Sequence, residues 1–438
     1  MRAFGTNLAA VGAAGRGAPL LLLLLAVAIG GGRAAPAAAQ EASVPEPAAA
    51  ADTLVFQEDA TWAADSVVFQ DFPEDDLAWL KGEAVEGVVY QPELAFNRVD
   101  GWTFGGHIGC KPSAGWMPRF DARVAVASDR GHRGIYVLEI AQPVLPGRRL
   151  LLGWQQRRWT DGMEGDDERV GSTENFASAF LFRRDYRDYV ERDGTSLFAQ
   201  AAPLPWLAVG ATYASHEYRS LPDVTPNPST VFRKDSPWRS NPAADEGRMQ
   251  SAVFEAVVDR RDKASAPRRG GWLRLECETS GPDLHSDFTF TRYQAEARGY
   301  MPLTFGLDLK GRLLVGTTGA GALPVQKEFA VGGISTLRGH SYKHHRGDHV
   351  FLFNAEGGLL LWRGRQRSGV RADVRLLAFA DIGQAWQGKS YDLASRQMMS
   401  DAGLGLGIAE GRIRLYAAHD LRDADSGFLW TLRLDNPF

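Results

Sequence analysis

The sequence predicts an all-β fold, a sixteen-stranded antiparallel transmembrane β-barrel. Three observations predict it. From Gly101 onward, segments of about ten residues alternate apolar and polar, the pattern of a strand with one face on lipid and the other on a polar lumen. Those segments end in Gly, Pro, Asp or Asn, the residues that make tight turns. The N-terminus, finally, has the anatomy of an export signal.

Residues 1–39 carry Arg2 and Arg16, an apolar run from Ala18 to Ile29, and small residues ending at Ala37, Ala38 and Ala39 before Gln40. That run is too short to span a bilayer and is expected to be removed as a signal peptide. Removal takes away three arginines and no acid, which moves the formal charge from −4 by three further units to −7. So acidic a chain is no nucleic-acid binder. Residues 40–91 read as an Ala/Pro/Glu-rich linker and a short periplasmic segment, followed by the barrel over 92–438. Beyond the N-terminus there is no apolar stretch of membrane-helix length, so a membrane partner has to be met with strands. The two cysteines, Cys110 and Cys277, fall in strand patterns and read as small apolar residues rather than a disulfide framework.

The strand reading holds residue by residue. In Phe351–Leu361 the residues Phe351, Phe353, Ala355, Leu359 and Leu361 make an apolar face, with Asn354 and Glu356 opposite. In Arg371–Ile382 the apolar set Ala372, Val374, Leu376, Ala378, Ala380 and Ile382 opposes Arg371, Asp373, Arg375, Phe379 and Asp381. Leu307, Leu309 and Leu313 oppose Asp308, Lys310 and Arg312, while Leu273, Leu275 and Cys277 oppose Arg274, Glu276 and Glu278. A soluble sandwich also alternates. The charged face on strand after strand, together with the export signal, favours the barrel. Counting strands from Gly101 gives sixteen, with Ser172–Arg184 included as a strand although its E-N-F-A-S-A-F-L-F pattern also suits an amphipathic helix. Leaving it out inverts every earlier loop relative to the later ones. The seam is expected between a first strand Gly101–Cys110, carrying Trp102, and a last strand Gly427–Leu434, carrying Trp430. Phe438 then gives an aromatic C-terminus.

One stretch departs from strand periodicity. Glu328–Asp348 reads E-F-A-V-G-G-I-S-T-L-R-G-H-S-Y-K-H-H-R-G-D and sets Arg338 between glycines. It resembles the inward-folded loop of the bacterial surface antigen superfamily, the outer-membrane barrels that include the BamA and TamA assembly factors and the two-partner secretion transporters. That family carries an arginine-glycine-aromatic triplet after a Gly-Gly run. Arg338 and Gly339 match it, while His340 stands where Tyr or Phe is usual. The resemblance extends from F-N-R-V-D-G-W at Phe96–Trp102, which looks like the family's first-strand entry, to the C-terminal aromatic. It implies an inward-folded loop whose arginine reaches lumenal acids on the following strands. The matching positions are Glu356 and Asp381, both already on the lumenal face by alternation. A guanidinium confined in a lumen needs carboxylates that fit its planar fork, so Arg338, Gly339, Glu356 and Asp381 are expected to form a structural latch.

No catalytic, cofactor or metal site is expected. His345 and His349 are four apart, but Gly347 and Asp348 make a turn of that spacing. Gly333-Ile334-Ser335-Thr336-Leu337 lacks the second glycine of a hydrolase elbow. The resemblance implies insertion or translocation of proteins or lipids at the outer membrane, through a seam whose strand edge templates a client strand. The family's assembly factors usually carry periplasmic polypeptide-transport-associated modules, and residues 40–91 are too short for one of ordinary size. The partners expected are therefore outer-membrane lipid, client polypeptides and a periplasmic protein replacing those modules. The alternative is a passive channel or structural surface barrel, which the charged lumenal face also suits.

Overall fold

The computed structural model describes residues 87–434, apart from 112–115, 130–133, 146–149, 164–168, 223–231, 233–236, 265–266, 304, 368–369, 389–390, 394–395 and 409–412. The expected signal segment 1–39, most of the expected segment 40–91 and Phe438 lie outside the described residues.

The wall is one sixteen-stranded antiparallel sheet in sequence order. Its first half comprises β1 (Gly87–Asn97), β2 (Gly101–Lys111), β3 (Arg119–Ala127), β4 (Gly134–Pro143), β5 (Leu150–Gly162), β6 (Tyr189–Leu204), β7 (Leu207–Ser220) and β8 (Gly247–Asp259). The second half begins with β9 (Gly270–Ser280), β10 (Phe290–Pro302) and β11 (Leu307–Ala320). Two short strands, β12 (Phe329–Val331) and β13 (His345–Gly347), then pair only with each other. The wall resumes with β14 (His349–Arg367), β15 (Val370–Trp386), β16 (Met399–Ile408), β17 (Ile413–Asp420) and β18 (Leu429–Arg433).

Two expectations need correction, and they compensate. Ser172–Phe182 is a helix, α1, rather than a strand. It begins after Gly171, keeps Glu174 in its first turn where the helix dipole favours an acid, and ends at Arg183 in the left-handed conformation. The sixteenth strand is instead β1, which straddles the expected boundary between the 40–91 segment and the barrel. Val88, Tyr90 and Leu94 alternate outward there. Pro92, which argues against a strand interior, is tolerated because β1 is an end strand whose unpaired side needs no N–H. The first strand is therefore Gly87–Asn97, and Trp102 sits on β2, one strand in from the seam. With both changes the loop parity is restored. The long connections 163–188, 221–246, 321–348 and 387–398 share one end, and short turns such as 205–206 and 303–306 share the other.

Each wall strand turns at least one large apolar side chain outward, from Leu94, Phe104 and Val124 to Leu404, Leu415 and Trp430. A continuous apolar band of that extent far exceeds the patch a soluble monomer exposes, and it marks the lipid face. The inward face is ionic. Arg274 bridges Glu255 at 2.6 Å and Glu276 at 2.9 Å, Arg292 meets Glu276 at 2.7 Å, and Arg312 meets Glu296 at 2.7 Å. All these side chains are buried or nearly so, and burial of charge is tolerated only when it is paired in this way. Both cysteines are free thiols.

Candidate functional site: an arginine-tipped loop inside the barrel

The connection from β11 to β14 folds as a hairpin. β12 and β13 form its neck in the register Phe329 to Gly347 and Val331 to His345. At the tip the chain turns at Gly332 and Gly333, both at positive φ, which glycine adopts without steric cost. Side-chain and backbone bonds then close the turn. Gly332 N donates to Thr336 Oγ1 at 2.8 Å, and Gly333 N donates to the Leu337 carbonyl at 2.9 Å. Phe329, Val331 and Leu337 are buried in a cluster with Leu314, Val350 and Leu352 of the wall, so the loop is packed against β11 and β14 rather than merely threaded past them.

This packing delivers Arg338 to the wall. Its Nε and Nη2 donate to Asp381 Oδ2 and Oδ1, each at 2.8 Å, a two-pronged geometry in which the planar fork matches one carboxylate. Nη1 donates to Glu356 Oε2 at 2.9 Å. The guanidinium carbon lies 3.6 Å from the centroid of the Phe379 ring and 4.9 Å from that of Tyr416, so an aromatic face covers a charge that is otherwise out of water. Strand register explains the convergence. Asn354 faces Asp381 and Glu356 faces Phe379 across β14 and β15. Asn354 also donates to Asp381 Oδ1 at 2.8 Å and to the loop carbonyl of Thr336 at 2.6 Å.

Gly339 is required by space. A Cβ there would lie 2.6 Å from the Cβ of Asp401, closer than side chains pack. His340 then sits between two carboxylates on neighbouring strands, with Nε2 3.8 Å from Asp401 and Nδ1 3.5 Å from Asp420. His349 lies apart from this group, spending its ring nitrogens on Thr317 Oγ1 and the Gly388 carbonyl, both at 2.8 Å. Among the described residues, no group of three His, Cys, Asp or Glu side chains has metal-binding geometry.

The Omp85 superfamily domain matches residues 207–425, half of the chain. The chain belongs to the Omp85 superfamily. Its fold resembles BamA from Haemophilus ducreyi lacking POTRA domains 1-3, at a TM-score of 0.54 and 12% identity over 80% of this chain and 70% of that one. It is also similar to CdiB from Escherichia coli, at 0.45 and 13% over 82% and 68%, and to CdiB from Acinetobacter baumannii, at 0.42 and 11% over 79% and 58%. No curated protein matches the chain by sequence.

The site in this Omp85 barrel is larger than the four residues the sequence singles out. Tyr416 donates to Glu356 Oε2 at 2.7 Å and Arg414 donates to Glu356 Oε1 at 3.2 Å, so β17 supplies two partners. Their alternation with Ile413 and Leu415 marks them as lumenal, but nothing local marks them as partners of this loop. A second centre lies in the long connections. Asp188, fully buried, receives Arg98 at 3.2 Å, Arg239 at 2.5 Å, Lys343 at 3.1 Å and also Arg346. Burial alone raises a carboxyl pKa, but Lys343, Arg239, Arg346 and Arg98 outweigh it and hold Asp188 well below the usual range. The four cations come from the β1–β2 turn, the β7–β8 connection and the inward loop, so one acid ties these segments together. Of the expected seam residues, Trp430 is outward-facing on β18 and Trp102 packs against Phe96 at 5.3 Å between ring centroids.

Proposed function

We propose that this chain is an outer-membrane barrel that assists insertion or translocation of polypeptides or lipids at the seam between β1 and β18, while a latched loop keeps its lumen closed. The observation that carries this reading is Arg338, held by Asp381, Glu356 and two aromatic faces at the tip of a loop packed inside the wall. A passive pore gains nothing from burying its own arginine in its channel. A seam-acting barrel gains a braced wall on β14, β15 and β17 while its end strands work. Strand edges recruit further strands through their unpaired backbone groups, which gives the seam its chemistry.

In this reading Arg338, Gly339, Glu356 and Asp381 act as a structural latch, and no residue is catalytic. Residues 1–39 are an export signal. Outer-membrane lipid, client polypeptides and a periplasmic protein that recruits clients are the partners, and no cofactor is used. The charged lumenal face is the specific observation behind a second reading, a selective channel. Its charges are paired in Arg–Glu ladders, which favours a filled lumen over a water path. Planar-bilayer recording separates the two. The seam reading expects no steady large conductance with Arg338 in place, and large stable pores in that protein would favour the channel.

A further inference from the structure

Helix α1 holds both end strands of the wall. On one side, the buried Glu174 takes Arg433 Nε of β18 at 2.9 Å and 3.2 Å through its two oxygens, and also the backbone N–H of Leu434 at 3.2 Å. Arg433 is fixed further by the loop carbonyls of Ile334 and Arg169, both at 3.0 Å. On the other side, Phe180 lies 6.1 Å from Phe96 of β1 and 5.4 Å from Trp102 of β2, and Phe176 lies 6.2 Å from Trp102. Phe96 and Trp102 share the parity of the outward-facing Leu94 and Phe104. Arg433, by contrast, is lumenal. Two residues along a helix point to nearly opposite sides, so Glu174 and Phe176 are placed to grip different partners at once.

We propose that α1 is a clasp on the seam. It joins β18 through an ion pair and β1 and β2 through edge-to-face ring contacts in the resting barrel, and it must let go before another strand engages either edge. The inference rests on the seam reading given above. The grip exists only while α1 is seated against both end strands. A buried arginine loses its carboxylate when α1 leaves, and two phenylalanines lose their ring partners, so the clasp biases the barrel towards rest. The same carboxylate accepts the backbone N–H of Leu434, the residue just past the end of β18, so α1 also holds the backbone where that strand stops.

Spin labels on β1 and β18 test the clasp itself. In a Cys110→Ser, Cys277→Ser background, labels are placed at the outward residues with Leu94→Cys and Leu432→Cys, and distances are read in lipid vesicles by pulsed electron resonance. Folding of each variant is checked by heat-modifiable gel mobility. Glu174→Gln, and separately Phe176→Ala with Phe180→Ala, are expected to raise the wide-distance population by about tenfold, as follows when contacts made only in the seated state are lost. An unchanged distance distribution in both folded variants overturns the proposal. A second arm joins α1 to β1 with a short bismaleimide between Phe180→Cys and Phe96→Cys and follows insertion of an unfolded outer-membrane barrel protein. A block by the cross-link supports the clasp, and cross-linked protein that inserts the client at the unlinked rate shows that α1 need not leave. Wide distances in the variants, with no client inserted by any form of the protein, support the clasp and sink the insertion reading instead.

Discussion

Arg338 and Asp381 meet through two parallel hydrogen bonds of 2.8 Å although 43 residues separate them in the chain. Arg338→Ala leaves Asp381 and Glu356 facing each other's side of the lumen without the cation between them. Removing one partner of a buried ion pair costs about 3–5 kcal/mol, chiefly from the charge left behind. The expected result is a lower urea midpoint and faster cleavage of the inward loop by trypsin. Arg338→Lys recovers only part of the loss, because an ammonium cannot grip one carboxylate with two prongs and reach the other as well.

Gly339→Val is expected to unseat the loop while leaving every charge in place. Its side chain would begin 2.6 Å from the Cβ of Asp401, and overpacking of this kind costs about 1–3 kcal/mol. Hydrogen exchange should show lost protection over β12 and β13, with the wall strands unchanged.

The loop carries a pH dependence on His340. Burial lowers its pKa, against the raising effect of Asp420 and Asp381, while the neighbouring His344 lowers it further. Asp401 faces the same ring from β16. A histidine with a depressed folded pKa contributes stability that is full above its unfolded value of about 6.5 and is lost as the pH falls below it. Trypsin cleavage at Lys343 should accelerate across that range. His340→Phe, which restores the family's usual aromatic, should flatten the profile.

Asp188 gives a second, more acidic limb. Its carboxyl is held below the ordinary range, so its contribution is full above about pH 4 and declines only under that value. Asp188→Asn should abolish that limb at any pH. It should also cost about 3–5 kcal/mol, since Arg98, Arg239, Lys343 and Arg346 keep their charges without the acid they share. Limited proteolysis of the 221–246 connection, compared with that of the inward loop, reads the effect.

Alternation is a local property, and it was legible wherever a strand has one wet and one lipid face. It placed Asn354, Glu356, Phe379 and Asp381 on the inner side because strand period alone decides that. Ser172–Phe182 defeated it. In E-N-F-A-S-A-F-L-F the spacing of apolar residues fits a strand and a helix alike, and the choice was made by tertiary contacts of Glu174 and Phe180 that lie far away in sequence. β1 escapes a strand count that starts at Gly101, although Val88, Tyr90 and Leu94 carry the same alternation and Pro92 is tolerated at the end of a sheet. The Asp188 centre was not legible at all, because its four cations come from three separate segments. Tyr416 was legible as an inward residue but not as a ligand of Glu356, for the same reason.

A barrel braced by Arg338 is expected to work on client strands at its seam. Vesicles of outer-membrane lipid test it most directly, with and without the reconstituted full chain, by following the folding of an added unfolded outer-membrane barrel protein. Faster client folding is expected with the wild-type chain, and loss of that acceleration in Arg338→Ala that still migrates as a folded barrel. Client folding at the rate of empty vesicles in the presence of the wild-type chain would contradict it.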